Sequence, residues 1–218
     1  MAALDAVVLA GGAGRRAGGA DKPGLLVGGR PLLASVVTAV VSAGASRVVV
    51  VGPPRPQLLA EVAPPPGGLL TVQEQSPGGG PVPALRRGLA EVTAPVTAVL
   101  AADLPFVRAR HLRLLQAAAA DPGQAGAVLA DDAGRPQWLT GCWHTARLRA
   151  AASGYTGGSL RGLLGPLQPA VLRYDLPAEE PPPWLDCDTA ADLRQARAWQ
   201  ATAGDEPGDP QPEGKARW

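Results

Sequence analysis

The segment running from Val7 to Pro23, VVLAGGAGRRAGGADKP, concentrates residue types that hold phosphate. Gly11, Gly12, Gly14, Gly18 and Gly19 leave the backbone free to take positive φ and to approach a ligand with no Cβ in the way. Successive N–H groups in such a loop form an anion-binding concavity. Arg15, Arg16 and Lys22 set full positive charges beside those dipoles. The chemistry implied is recognition of a polyphosphate. Among the 20 Lys and Arg residues, only Lys22 and Lys215 are lysine, in a chain whose Ala, Gly, Pro and Arg content indicates a GC-rich coding bias. A lysine kept among arginines points to a compact, mobile ammonium in place of a planar fork, a common use of lysine on phosphate. The plainer alternative is a solvated surface lysine.

Carboxylates form the second group. Asp103 closes an apolar run in AVLAADLPF. At the C-terminal end of a buried parallel strand it occupies the edge where open α/β sheets bind ligands, the same edge as the glycine loop. Beside a polyphosphate, its use is to hold Mg2+ on the phosphate oxygens; an aspartate opening a turn before Leu104 and Pro105 is the alternative. Asp186 and Asp188, in WLDCDTAADL, form a further acidic pair. Asp188 either caps a last helix, helped by Thr189 and Asp192, or one of the pair completes a metal site with Asp103. The stretch Ser76 to Pro83, SPGGGPVP, reads as a base- or ribose-contacting loop or as an ordinary turn before a helix. His111 and His144 have no spacing partner and read as structural or solvated, the five tryptophans as packing or surface residues, and Asp131 and Asp132 as turn residues.

Placing these groups together requires alternating strands and helices, which predicts a layered α/β fold with a largely parallel sheet. Strands are expected at Asp5 to Ala10, Arg47 to Val51, Leu69 to Gln73, Val96 to Ala101 and Gly126 to Ala130. Helices are expected near Pro31 to Ala43, Arg55 to Glu61, Pro81 to Val92 and Arg108 to Ala120, with Pro31 and Pro81 in first turns. Beyond a turn at Asp131 to Arg135, Gln137 to Trp143 predicts a strand antiparallel to its predecessor. A helix at His144 to Ala152, a short helix after the bend at Ser153 to Ser159, a strand at Ala170 to Tyr174 and a last helix to about Ala201 complete the pattern. Residues 1–201 read as one domain and 202–218, rich in Gly, Pro, Asp and Glu, as a disordered tail.

Composition narrows the partners. A net charge of +1 gives no sign of a nucleic-acid surface. Cys142 and Cys187 have no CxxC pairing, which argues against a zinc site or disulfide framework. No apolar run has membrane-spanning length and no basic segment precedes the first apolar stretch, so a cytoplasmic location is expected. Gly12 to Ala17 also fits the dinucleotide fingerprint G-x-G-x-x-[GA]. That fingerprint expects an acid after the second strand to hold the ribose, and here Val51 is followed by GPPRPQ. A nicotinamide-binding oxidoreductase is therefore the weaker reading. A Walker A loop is excluded because Lys22 precedes Pro23.

Taken in order, the motifs resemble the molybdenum cofactor guanylyltransferases, within a nucleotidyltransferase superfamily whose signature is LAGGxxxRxGxxK. The matching residues are Leu9, Ala10, Gly11, Gly12, Arg16, Gly18 or Gly19, and Lys22. Asp103-Leu104-Pro105 matches the family's D-x-P element, Gly80 to Ala84 resembles its P-G-P-x-x-[AG] loop, and Asp186 to Leu193 matches its later acidic element. The likeness spans about residues 4 to 200. It implies a three-layer, Rossmann-like nucleotidyltransferase fold with a mostly parallel sheet and an antiparallel extension. It further implies that Leu9, Ala10, Gly11, Gly12, Arg15, Lys22, Gln75, Gly80 and Asp103 bind the nucleotide, with Arg16, Lys22 and Asp103 catalytic. Asp103 would hold Mg2+ with Asp188, or Asp186, as second ligand. The implied reaction is transfer of GMP from GTP to the terminal phosphate of molybdopterin, releasing pyrophosphate; a cytidylyltransferase or sugar-phosphate nucleotidyltransferase shares the motifs. Two departures stand out: Glu74-Gln75 occurs where some members place an Asp on the guanosine, and Asp188 occurs where Asn is common.

Overall fold

Leu4, Ala6 and Val8 pack on one side of the first strand and Val7 and Leu9 on the other, and all five are buried. Such a strand must lie inside a sheet covered on both faces. The computed structural model describes residues 2–11, 21–74, 78–177 and 179–203. Gly12, Arg15, Arg16, Gln75 and the tail past 203 lie outside these residues. The described chain forms β1 (Leu4–Leu9), β2 (Leu26–Val27), β3 (Arg30–Pro31), α1 (Leu32–Ser42), β4 (Ala45–Val51), β5 (Leu69–Val72) and α2 (Pro81–Leu89). It continues through β6 (Val96–Ala101), α3 (Ala109–Ala119), β7 (Gly126–Ala130), β8 (Pro136–His144), α4 (Thr145–Gly154), α5 (Leu160–Leu164), β9 (Ala170–Arg173) and α6 (Ala190–Ala203).

Seven strands form one sheet in the order β5-β4-β1-β6-β8-β7-β9. All neighbours pair parallel except β8, which runs antiparallel to both β6 and β7. Helices α1 and α3 cover one face with residues such as Leu33, Val36, Leu112 and Leu115. Helices α2, α4 and α5 cover the other with Leu85, Leu148 and Leu163. Each fully buried Val or Leu contributes about 1.5–3 kcal/mol, so the alternation along β1 and β4 is enough to set which way each strand faces. A small third cluster, Val27, Leu32, Phe106, Cys187 and Ala196, docks α6 beside the sheet edge that carries the site.

Two expectations change. Arg55 to Glu61 is not an α-helix; only a 3-10 turn at Pro56–Leu58 forms. Arg55 sits at φ −138°, ψ 60°, outside helical values, and the stretch is too short to sustain a helix without packing. Pro31 closes a short ribbon, β2–β3, in place of opening a helix. Gly28 and Gly29, at φ 57° and 74°, supply the two positive-φ residues that such a tight hairpin turn requires. Pro81, by contrast, is the first residue of α2 as expected.

Candidate active site

Four groups named from the sequence converge at one edge of the sheet. Leu9, Ala10 and Gly11 end β1; the ladder continues past the strands through Ala10 N–H to Val51 O at 2.8 Å and Ala102 N–H to Leu9 O at 3.0 Å. Asp103 follows immediately on that edge. Its carbonyl accepts from Cys187 N–H at 3.2 Å, which pins the Asp186–Asp188 segment against it. Lys22 reaches the same place from the other side: its Nζ lies 2.5 Å from Asp188 Oδ1. Sequence positions 166 residues apart thus become an ion pair. Asp188 does not cap α6. Thr189 does, its N–H and Oγ1 donating to Asp192 Oδ2 at 2.7 and 2.8 Å while Asp192 N–H donates back to Thr189 Oγ1 at 3.2 Å. The cap role falls one residue later, leaving the Asp188 carboxylate for Lys22.

Electrostatics set Asp103 apart. Burial, then the neighbouring Asp186 and Asp188, raise its carboxyl to about 6 against the pull of Lys22. Asp186 is raised as well, by burial first and then by Asp188 and Asp192. Three carboxylates therefore share one lysine, and the corner carries surplus negative charge that a cation would relieve. Among the described residues no three His, Cys, Asp or Glu side chains form a self-contained metal cage. Cys187, buried between these acids, is pushed up to about 12, first by burial and then by Asp103, so it is a neutral thiol at ordinary pH.

The acids open into a cleft of about 800 Å³. Leu9, Gly11, Glu74, Gly80, Asp103, Asp186 and Asp188 line one part of it. Trp138, Thr140, Ser159, Arg161 and Trp184 line another. Gly80, at φ 93°, turns the chain into α2. Glu74 Oε1 would lie 3.6 Å from a Cβ on Gly11, so its carboxylate stands beside the end of β1. Trp138 and Trp184, read from the sequence as packing or surface residues, do pack against the two core clusters, and they also line the cleft. For Trp138 the cause is a bulge: β7 advances one residue, from Val128 to Leu129, while its β8 partner moves from Gly141 to Gln137. Residues 138–140 are thereby freed from β7 and re-aimed. Nothing in the spacing of the tryptophans signals this.

The structure and the sequence together place the protein among the α/β nucleotidyltransferases. The chain belongs to the family with the MobA-like NTP transferase domain, whose sequence profile matches residues 6–171. No curated protein matches the chain in sequence. Among solved structures, a nucleotidyl transferase from Methanothermobacter thermautotrophicus is similar at TM-score 0.75 and 21% identity, over 92% of this chain and 99% of that one. Molybdopterin-guanine dinucleotide biosynthesis protein A from Archaeoglobus fulgidus is similar at TM-score 0.65 and 18% identity, over 89% and 97%. The 2-C-methyl-D-erythritol 4-phosphate cytidylyltransferase from Thermus thermophilus is similar at 0.62 and 20%, over 91% and 99%. At these identities the likeness is one of fold. No helix among the described residues is long and apolar enough to cross a membrane.

Proposed function

We propose that the protein transfers GMP from GTP to the terminal phosphate of molybdopterin, with Mg2+ as cofactor and pyrophosphate as the other product. The observation that carries this reading is the meeting of Lys22, Asp103, Asp186 and Asp188 at the end of β1. An acceptor phosphate oxygen bonds to the α-phosphorus as the bond to the bridging oxygen of the β-phosphate breaks, and pyrophosphate leaves with that electron pair. The acceptor is already an anion at neutral pH, so no strong general base is needed and catalysis reduces to alignment and charge stabilisation. Backbone groups of Leu9 to Gly12 cradle the phosphates. Lys22, released from Asp188, places its ammonium on them, and Arg15 and Arg16 add charge from the same loop. Gln75 and Gly80 would contact the nucleoside, and Arg16 would serve with Lys22 and Asp103 in the reaction itself. Asp103, with Asp188 or Asp186, would hold Mg2+, which supplies charge neutralisation at the reacting phosphates.

Glu74 favours guanine. An ionised carboxylate only accepts hydrogen bonds, and the guanine edge offers two adjacent donors, where cytosine pairs one donor with an acceptor. The similar fold of a cytidylyltransferase makes CTP the rival donor. Measuring pyrophosphate release with each of the four NTPs, with and without a molybdopterin-type acceptor, tests the reading. Acceptor-dependent release with GTP is expected. Release with CTP alone, or with a sugar phosphate as the only productive acceptor, overturns the assignment while leaving the nucleotidyl transfer intact.

A further inference from the structure

The segment after β4, Gly52-Pro53-Pro54-Arg55, offers no acid for a ribose and forms no helix. It supplies an arginine to the phosphate loop instead. Arg55 Nε lies 2.9 and 2.8 Å from the two carboxylate oxygens of Asp21, and its Nη2 lies 2.6 Å from Asp21 Oδ1. On the other side of the same guanidinium, Nη1 donates to Ala10 O at 3.2 Å and to Pro53 O at 3.2 Å. One rigid fork thus ties Ala10 to Asp21. Its side chain is 10% exposed, whereas that of Asp21 is 54% exposed. The arginine is therefore the fixed member and the loop end is what it holds.

The local backbone is built for this reach. A Cβ on Gly52, which sits at φ 152°, would fall 2.7 Å from the carbonyl carbon and oxygen of Ala10. Only glycine lets the two strand ends run this close. Pro53 and Pro54 then fix φ at two successive positions and limit where Arg55 can point. Lysine could not substitute, because a point charge cannot engage a carboxylate edge-on and a carbonyl on the opposite side at once.

We propose that Arg55 is a positioning residue that holds Ala10 and Asp21 together, so that the end of β1 and Lys22 meet the triphosphate from fixed positions. The inference rests on the nucleotidyl-transfer reading above. Fixing Ala10 and Asp21 against each other before binding removes ordering cost that the ligand would otherwise have to meet. The gain appears in nucleotide affinity, with little of it in the chemical step.

Calorimetric titration of the full chain with GTP and, separately, CTP in magnesium buffer tests this, using wild type, Arg55→Lys and Arg55→Ala. Both variants should bind about tenfold more weakly than wild type, with the loss falling on KM for the nucleotide more than on kcat and leaving KM for the acceptor in place. Thermal melts identify any variant that has failed to fold, and Arg55→Lys, which keeps charge and length, guards against that outcome. Affinity restored by lysine shows that charge alone matters and overturns the proposal. So does an effect confined to kcat, which would make Arg55 a catalytic residue. In a double-mutant cycle with Asp21→Ala, the double variant should bind no more weakly than Arg55→Ala alone, and independent effects that multiply also overturn it. Wild type that binds neither nucleotide brings down the nucleotidyl-transfer reading and this proposal together; wild-type binding undiminished in both Arg55 variants brings down this proposal only.

Discussion

In the parallel part of the sheet, β5-β4-β1-β6, residues just past β5, β1 and β6 line the cleft (Glu74, Gly11 and Asp103), and Arg55, past β4, holds Ala10 beside them. In the remaining part, β8 runs against its neighbours, so its beginning reaches the same edge and side chains of the strand itself line the cleft. The first region offers backbone dipoles and paired charge. The second offers Trp138, Thr140 and Leu160, with Arg161 at its margin. Under the proposed reaction the triphosphate would lie on the parallel side and the acceptor against the reversed strand, and all but the last of the substitutions below are directed at one side of this division.

The largest effect is expected at Asp103. Asp103→Asn keeps the shape and removes the charge, and pyrophosphate release should fall by about 10²–10³-fold, the scale of losing one preorganised charge partner. The melting temperature should hold or rise, because a carboxyl raised to about 6 by burial is uncomfortable in the folded state. Full turnover in that variant would remove its metal role. Lys22→Gln should cost about 10–10²-fold in kcat/KM for the nucleotide, the worth of a charged hydrogen bond, with KM for the acceptor steady. An equal loss for both substrates would dissolve the division. Gly52→Ala forces a Cβ against Ala10 and should destabilise the fold by about 1–3 kcal/mol, read by urea unfolding. Trp138→Ala tests the opposite side. Loss of its stacking surface should raise KM for the acceptor by about five- to tenfold while nucleotide binding stays put. Weakened GTP binding there would place the nucleoside, and not the acceptor, against β8.

The smallest expected effect belongs to neither side. His111 lies on α3, away from the cleft, where burial and then Arg110 and Arg108 push it down to about 3. Its ring packs edge-on against Tyr174 at 4.7 Å. Between the ordinary histidine value of 6.5 and about 3, the unfolded chain takes up a proton that the folded one refuses. Stability should therefore decline as pH falls through that window, and His111→Asn should flatten the decline in urea midpoints. Asp103, with its folded value above its unfolded one, acts with the opposite sign between about 6 and 3.8.

Much of this arrangement was legible beforehand because it rests on local rules. Continuous apolar runs predicted β1, β4, β6 and β7 within a residue or two, since a strand buried on both faces has no room for polar side chains. A lysine after β1 and an aspartate after β6 were singled out for chemistry, and the fold brings both to one edge of the sheet. The reversed β8 was also expected, from the short turn before it, and Asp131 closes that turn by accepting Ala133 N–H at 3.0 Å and Arg135 N–H at 2.9 Å. Illegible were the Arg55 fork, the handover of the α6 cap from Asp188 to Thr189, and the cleft positions of Trp138 and Trp184. Arginine is the commonest charged residue here, so its type carried no signal, and a bulge in β8 leaves no mark in composition.

By itself, then, the order of residues determined the strands and the acids that follow parallel strands, because hydrophobic period and backbone freedom act over a few neighbours. Which charge meets which was decided only in three dimensions. Lys22 finds Asp188, and Arg55 finds Asp21 and Ala10, across long stretches of chain. Sheet order and one carbonyl contact at Asp103 bring those partners within hydrogen-bond reach, and Coulomb attraction of that strength exists only at such distances.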